Sequence, residues 1–145
     1  MGENRFDAVF NLFTSFGYFD SQDDNKRVIQ AIHKMLKDDG ILVIDFMNSR
    51  RIINSLVASE VKQVESTQFN ITRNYDGNHI FKKIEFEGDG EHHSYTERVQ
   101  ALLLIDFQQL LTQNGFDILS IFGDFDLNNF SEETSDRLII VAQKK

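Results

Sequence analysis

The first third of the chain alternates between apolar runs of strand length and a segment with helical periodicity. Residues 7–13 and 41–46 are nearly continuous apolar runs, and apolar residues recur every three to four positions between them. Strands of this composition are typical of parallel sheets that are buried on both faces, and the helix between them would connect them as a crossover. The sequence therefore predicts an α/β fold. Because ligands of open α/β sheets bind beside the carboxyl ends of the strands, we expect function to lie in residues 11–19 and 45–49.

The helix of this crossover has clear signals at both ends. Ser21 and Asp24 have the S-x-x-D spacing of an amino-terminal cap, and the acidic residues around them suit the positive end of the helix dipole. Gly40 is expected to end the helix in a left-handed conformation. The residues that would face the sheet are all apolar and recur at helical spacing: Val28, Ile29, Ile32, Met35 and Leu36.

The second half of the chain begins with a different pattern. After a short amphipathic helix near residues 52–57, apolar and polar residues alternate between 62 and 103, and a turn at 76–78 would join two of the strands. This pattern predicts an antiparallel β meander of three strands. A helix that ends at Gly115 and two final strands, at 117–122 and 138–142, would follow.

Length and composition restrict the class of protein. We expect the 145 residues to form a single domain, with residues 60–103 as an antiparallel insertion within it. The absence of Cys excludes disulfides and thiolate metal sites. A net charge of −8 argues against a nucleic-acid partner, and no apolar run approaches the roughly 18 residues that span a bilayer. A cytoplasmic protein with no membrane partner is the resulting expectation.

Neighbouring histidines at positions 92 and 93 are the clearest candidates for a metal site or a general base. Adjacent residues on a strand point to opposite faces, and no third ligand stands at a suitable spacing. We therefore interpret His92 and His93 as surface loop residues and expect no metal site.

Residues 6–48, FDAVFNLFTSFGYFDSQDDNKRVIQAIHKMLKDDGILVIDFMN, resemble the fourth strand, fourth helix and fifth strand of a class I S-adenosylmethionine-dependent methyltransferase. The most specific part is LFTSFGYF at 12–19, which is similar to the small-molecule branch of that family. The resemblance continues through QNGF at 113–116 to a closing hairpin at 122–145. It implies a partial Rossmann-like sheet, strands four to seven of the family order, with an antiparallel β excursion.

The resemblance also implies roles for the residues at the strand ends. The residues that would flank the cofactor S-adenosylmethionine are Asn11, Leu12 and Phe13. The residues that would contact the methyl acceptor, a small molecule, are Ser15, Phe16, Tyr18, Phe19 and Asn48. Simpler interpretations stay open, because Asn11 could satisfy backbone groups at the strand end and Tyr18 could be a core aromatic residue. No general base is identified.

The family's glycine-rich turn has no counterpart in this sequence. That turn receives the methionine part of the cofactor, and the first three strands of the family would precede residue 6. The resemblance thus covers the C-terminal part of the family only, and we expect weak or no cofactor binding and no activity of the chain alone. Two functions remain open: a methyltransferase or its C-terminal part, and a non-catalytic binding or dimerisation module with half of that fold.

In the resembled sheet, the strand at 7–13 is interior and pairs on its far side with the family's first strand. Without that neighbour its edge would carry unpaired backbone groups, which invite pairing with another chain. We therefore expect a homodimer through this strand. The alternative is that the amino-terminal residues or the meander fold back and cover the edge.

Overall fold

A computed structural model of the chain describes residues 4–145, which form eight strands and three helices. The elements follow one another in this order: β1 (Phe6–Asn11), α1 (Gln22–Met35), β2 (Leu36–Met47), α2 (Ser49–Asn54), β3 (Ser59–Val64), β4 (Thr67–Tyr75), β5 (His79–Gly88), β6 (Glu91–Gln100), α3 (Leu104–Gln113), β7 (Phe116–Phe122) and β8 (Arg137–Lys144). The longest described helix, α1, has 14 residues, and no described helix is long and apolar enough to cross a membrane.

The strands form two separate four-stranded sheets. In the first sheet the order is β1-β2-β8-β7; β1 and β2 are parallel, and β8 is antiparallel to both of its neighbours. The second sheet is a fully antiparallel excursion, β3-β4-β5-β6. The predicted α/β fold with a partial Rossmann-like sheet and an antiparallel excursion is therefore confirmed.

The excursion has one strand more than the sequence predicted. β3 has the sequence SEVKQV and is almost entirely exposed, so it lacks the alternation of apolar and polar residues that marks a half-buried strand. Its backbone pairs with β4 along its whole length. Pairing with an amphipathic neighbour, rather than burial of its own side chains, therefore makes this segment a strand.

The main core lies between the first sheet and the two longer helices. Side chains that are fully buried there include Ile29, Leu42, Phe46, Phe107, Leu111 and Ile140. The predicted inner face of α1 is confirmed: Ile29 and Ile32 are buried, and Val28 and Met35 pack partly buried against the same cluster. Leu36 is also buried but directly follows the helix, as the first residue of β2.

Helix α1 begins as predicted but ends differently. Ser21 is the amino-terminal cap and its hydroxyl accepts a hydrogen bond from the amide of Asp24. The helix ends at Met35, and the left-handed residue that follows is Asp39, with φ of 63°, not Gly40. Gly40 is needed for space, because a Cβ atom at this position would lie 2.8 Å from the carbonyl oxygen of Lys37.

His33, near the carboxyl end of α1, is expected to make stability depend on pH. Its ring stands edge-on to Phe116 and lies close to Gly115, which has φ of +85°. Burial is the main reason that the pKa of His33 is lowered, and the nearby ammonium group of Lys144 lowers it further. His92 has the opposite shift, because the carboxylate of Glu87 accepts a hydrogen bond from its ring and raises its pKa.

The unfolding free energy is expected to respond to His33 and His92 with opposite signs. Below the unfolded pKa of about 6.5 the unfolded state binds a proton that folded His33 does not, so this residue removes stability as the pH falls. His92 stabilises the fold below that pH and loses this contribution as the pH rises through its raised pKa. Urea denaturation at several pH values measures this. Compared with the wild type, His33→Gln should lose less unfolding free energy at acidic pH, and His92→Gln should lose more. Identical pH profiles for the two variants would contradict the assignment.

Candidate functional site

The loop that follows β1 is the most strained segment at the carboxyl edge of the first sheet. Phe13 and Thr14 are consecutive and neither is glycine, yet both are left-handed, with φ of 57° and 55°. This conformation is uncommon for any residue with a side chain and especially unfavourable for β-branched Thr. Strain of this kind persists only where the surroundings impose it, and it is frequent at functional sites.

The surroundings here are an ion pair between Asp45 on β2, which is buried, and Arg137 on β8, which is partly buried. The Phe13 amide donates to Asp45 Oδ2 (2.9 Å), and the Thr14 amide donates to the Asp45 carbonyl oxygen (3.0 Å). Arg137 Nε donates to Asp45 Oδ1 (2.8 Å), and its Nη2 donates to Thr14 Oγ1 (3.1 Å). Asp45 is only 1% exposed. Sequence reasoning placed Asp45 in the functional region without a role and missed Arg137; the available signal was a carboxylate inside the apolar run ILVIDF.

The three residues that the resemblance assigned to the cofactor lie together at the end of β1. Phe13 is 77% exposed and Leu12 is 38% exposed, so both present apolar surface to solvent. Asn11 is partly buried, and its side-chain oxygen has no hydrogen-bond partner among residues 4–145. The simpler interpretation of Asn11 as a partner for backbone donors therefore does not account for this oxygen.

The residues assigned to the acceptor do not share one environment. Tyr18 and Phe19 are each about half exposed, and the Ser15 hydroxyl donates to the carbonyl of Leu12 within the loop. Phe16 is 2% exposed, and its ring centre lies 5.6 Å from that of Phe107. Phe16 is therefore a core residue in this structure, unlike the exposed pocket residue that the sequence predicted, and a contact with the acceptor stays a prediction.

The turn at Gly17 explains this division of the loop. Gly17 has φ of +82°, and a Cβ atom there would contact Val99, Phe46 and the Gln100 carbonyl at 3.4 to 3.5 Å. The chain thus passes directly over the core at this position. Phe16 lies on the inner side of this turn, and Tyr18 and Phe19 follow it toward solvent.

The buried amide side chains of Asn25 and Gln100 form hydrogen bonds that connect the end of the loop, at Phe19, to the excursion. Asn25 Nδ2 donates to Gln100 Oε1, and Gln100 Nε2 donates to the Phe19 carbonyl oxygen at 2.8 Å. The Gln100 amide also donates to the Gly17 carbonyl oxygen at 2.8 Å. Sequence reasoning missed Asn25 and Gln100, because a single amide on a helix or strand ordinarily indicates solvent-exposed surface.

Asn48 is also occupied by contacts within the protein. It is 2% exposed, and its Nδ2 donates to the carbonyl oxygens of Glu132 and Ser135, both at 2.9 Å. Its Oδ1 accepts the amide of Arg51 at 3.5 Å, so it caps α2. Asn48 anchors the segment between β7 and β8, and its contact with an acceptor stays a prediction.

The paired histidines lie far along the excursion and not in a loop. His92 and His93 are on β6, where His92 bonds to Glu87 at 2.8 Å and His93 stacks on Phe86 with ring centres 4.9 Å apart. Among residues 4–145, no group of three or more His, Asp or Glu side chains has the arrangement of a metal site.

No family model matches the chain, but individual proteins are similar to it in sequence and in structure. The chain is 26% identical to glycine/sarcosine N-methyltransferase from Aphanothece halophytica, over 98% of this chain and 53% of that protein. It is 25% identical to glycine/sarcosine/dimethylglycine N-methyltransferase from Actinopolyspora halophila, over 97% of this chain and 24% of that protein. The chain thus spans about half or less of these two relatives.

Solved structures agree with these relatives. The chain superposes on a S-adenosylmethionine-dependent methyltransferase from Clostridium acetobutylicum with a TM-score of 0.84, at 15% identity, over 97% of this chain and 59% of that one. The CcbJ methyltransferase from Streptomyces caelestis gives a TM-score of 0.85, at 14% identity, over 100% of this chain and 63% of that one. The chain has part of the class I methyltransferase fold. Within it, the first sheet contains strands four to seven of the family order, as the resemblance predicted.

Proposed function

We propose that this chain is the acceptor-binding, C-terminal part of a S-adenosylmethionine-dependent methyltransferase that acts on a small molecule. The observation that supports the proposal best is the strained loop after β1. Apart from Phe16, its large apolar residues are exposed at the carboxyl edge of a partial methyltransferase sheet, and the ion pair between Asp45 and Arg137 holds its backbone. Ligands of open α/β sheets bind at this edge.

The residues at the end of β1 fit the cofactor chemically. S-adenosylmethionine supplies an electrophilic methyl group on a sulfonium, so the protein needs to orient the reactants and exclude water. The side-chain oxygen of Asn11 has no partner among residues 4–145 and can accept a hydrogen bond, while Leu12 and Phe13 offer apolar surface. We propose that these three residues hold the cofactor.

The acceptor side of the proposed site is smaller than the sequence predicted. With Phe16 and Asn48 occupied elsewhere, Tyr18, Phe19 and Ser15 remain as its candidates, and the first two are about half exposed. The names of two relatives, which are N-methyltransferases, favour a small amine as the acceptor. Half-exposed aromatic rings suit this role, because they can enclose the carbon skeleton of a small molecule.

Cofactor binding by the chain alone is expected to be weak and confined to the end of β1. The dissociation constant for S-adenosylhomocysteine, the stable demethylated cofactor, should lie in the millimolar range, about −4 kcal/mol, because no glycine-rich turn is present to receive its methionine part. Amide chemical-shift changes in a ¹⁵N-labelled sample should fall on Asn11, Leu12 and Phe13. Phe13→Ala should reduce them, while Leu119→Ala should not; Leu119 is also exposed but lies on β7, at the opposite edge of the sheet.

Two results would contradict this part of the proposal. Low-micromolar affinity, about −8 kcal/mol, would mean that the glycine-rich turn is dispensable. An absence of shift changes near Phe13 at millimolar ligand would favour the non-catalytic module instead. Sequencing of the DNA upstream of the Met1 codon separates the two functions further, because an in-frame strand, glycine-rich turn and helix would favour the enzyme.

We also propose that two copies of the chain associate through β1. Among residues 4–145 β1 is an edge strand paired only with β2, and the excursion forms its own sheet, so it does not cover this edge. Coverage by residues 1–3 lies outside the described residues. Phe10 is 62% exposed and Phe6 is 44% exposed, which adds apolar surface to unpaired backbone groups.

Sedimentation equilibrium is expected to show a dimer at micromolar concentration for the wild type and a monomer for Phe10→Glu. Tyr95→Glu is the matched control, because Tyr95 is similarly exposed but lies on the excursion. A monomeric wild type with amides of β1 protected from hydrogen exchange would overturn the dimer.

A further inference from the structure

We infer that Asp45 and Arg137 are positioning residues, which hold Phe13 and Thr14 in the left-handed conformation that presents the end of β1 to a ligand. The effect on ligand binding rests on the proposed function. The left-handed conformation of Phe13 and Thr14 does not depend on it.

Two oxygen atoms of Asp45, one in the side chain and one in the backbone, accept hydrogen bonds from two consecutive residues of the loop. One carboxylate oxygen of Asp45 accepts the Phe13 amide at 2.9 Å, and its backbone oxygen accepts the Thr14 amide at 3.0 Å. These two bonds fix consecutive peptide units. Because a left-handed residue places its amide differently from an extended one, both bonds would be lost if β1 continued straight through residues 13 and 14.

Arg137 fixes the carboxylate from the opposite side. Its Nε donates to the second Asp45 oxygen at 2.8 Å, and its Nη2 donates to Thr14 Oγ1 at 3.1 Å, so that backbone and side chain of Thr14 are both held. The guanidinium lies 5.9 Å from the ring centre of Phe125. Arg137 is thereby held by its position on β8 and by its contact with Phe125. The residues that set the loop conformation thus come from two neighbouring strands, β2 and β8.

Burial indicates that this ion pair serves position more than stability. Asp45 is 1% exposed within the otherwise apolar run 41–46, and the Arg137 side chain is 23% exposed. An ion pair whose carboxylate is buried is often no more stabilising than apolar residues of similar size. Its specific effect is geometric. It ends β1 at Asn11 and leaves Phe13 77% exposed, two positions after Asn11, whose side-chain oxygen has no hydrogen-bond partner among residues 4–145.

Nuclear magnetic resonance of the full chain tests the inference directly. In the wild type, Phe13 and Thr14 should show the strong intraresidue amide-to-Hα cross-peaks that are typical of positive φ. These should weaken in Asp45→Asn and in Arg137→Lys, which keeps the charge but replaces the two bonding nitrogens of the rigid guanidinium by a single ammonium nitrogen on a flexible chain. Glu65, with φ of 52° in the turn between β3 and β4, is an internal control that should not change.

The ligand readout separates positioning from a purely structural role. Asp45→Asn should weaken binding of S-adenosylhomocysteine by at least about tenfold, and Thr14→Gly in the same chain should restore part of it, because glycine adopts positive φ without support. Positive φ at both residues in folded Asp45→Asn and Arg137→Lys would overturn the inference. Lost positive φ with unchanged ligand affinity would overturn the link to ligand presentation. If the wild type shows no ligand-induced shifts, the proposed function fails, whereas the φ measurement still decides whether Asp45 and Arg137 hold the loop.

Discussion

Replacing Phe16 by alanine is expected to lower the free energy of unfolding by about 3–5 kcal/mol, the range for removal of a fully buried aromatic side chain. Phe16 is 2% exposed, and its ring packs against Phe107, which in turn packs against Phe46 with ring centres 5.1 Å apart. The cavity would open where the loop, β2 and α3 meet, and the surrounding elements leave little freedom to fill it. Urea denaturation measures the loss.

Tyr18→Ala is the matched control for this prediction, because Tyr18 is an aromatic residue of the same loop, two positions away. It is about half exposed, so its removal should change the unfolding free energy by no more than about 1 kcal/mol. In a complete enzyme the same change is expected to impair turnover more than stability. Equal stability losses for the two variants would contradict the assignment of Phe16 to the core and Tyr18 to the site.

Asn48→Asp is expected to destabilise the fold by about 3–5 kcal/mol at neutral pH, as for a buried charge without a partner. The side-chain Nδ2 of Asn48 donates to the carbonyl oxygens of Glu132 and Ser135, both at 2.9 Å. An aspartate carboxylate would place a negatively charged oxygen against these carbonyl oxygens. The new carboxyl would have a raised pKa, since its surroundings favour the neutral form. Its penalty should therefore diminish as the pH falls toward the ordinary aspartate pKa of about 3.9.

Asn48→Ala provides the comparison, because it removes the same donors without adding charge. Its loss should be about 2 kcal/mol and should show no such recovery at acidic pH. Hydrogen exchange should accelerate in both variants at Ser135, whose amide donates to the carbonyl of Ser131 in the anchored segment. A role in acceptor binding, as the sequence suggested, would instead leave stability and exchange unchanged while ligand binding weakened.

Local sequence patterns were sufficient for most of the regular structure. The apolar run at 41–46 lies within β2, the cap at Ser21 begins α1, and the periodic residues of α1 face the core. Each of these features depends on neighbours within a few positions, where periodicity and capping act directly. The strand at 7–13 shows the limit, since β1 ends at Asn11 and the next residues are bent by bonds to Asp45.

The candidate site depended on contacts that leave no local trace. The LFTSFGYF string correctly indicated the fold, but it did not distinguish Phe16, which is buried, from Phe19, which is about half exposed. That distinction comes from the way the loop crosses the core at Gly17 and is tied to Gln100 on β6. Neither contact follows from the spacing of residues in the loop.

The α/β class and the crossover of the first third follow from the sequence without tertiary information, because burial and capping select these elements locally. The same patterns led us to expect the site at the carboxyl ends of β1 and β2. Tertiary structure alone decided the conformation and environment of the site. Asp45 reaches Phe13 from 32 positions away and Arg137 reaches Asp45 from 92 positions away. Such distant pairs form only when the strands are already side by side, so no pattern along the chain specifies them, and the sheet determines which loop residues are exposed to a ligand.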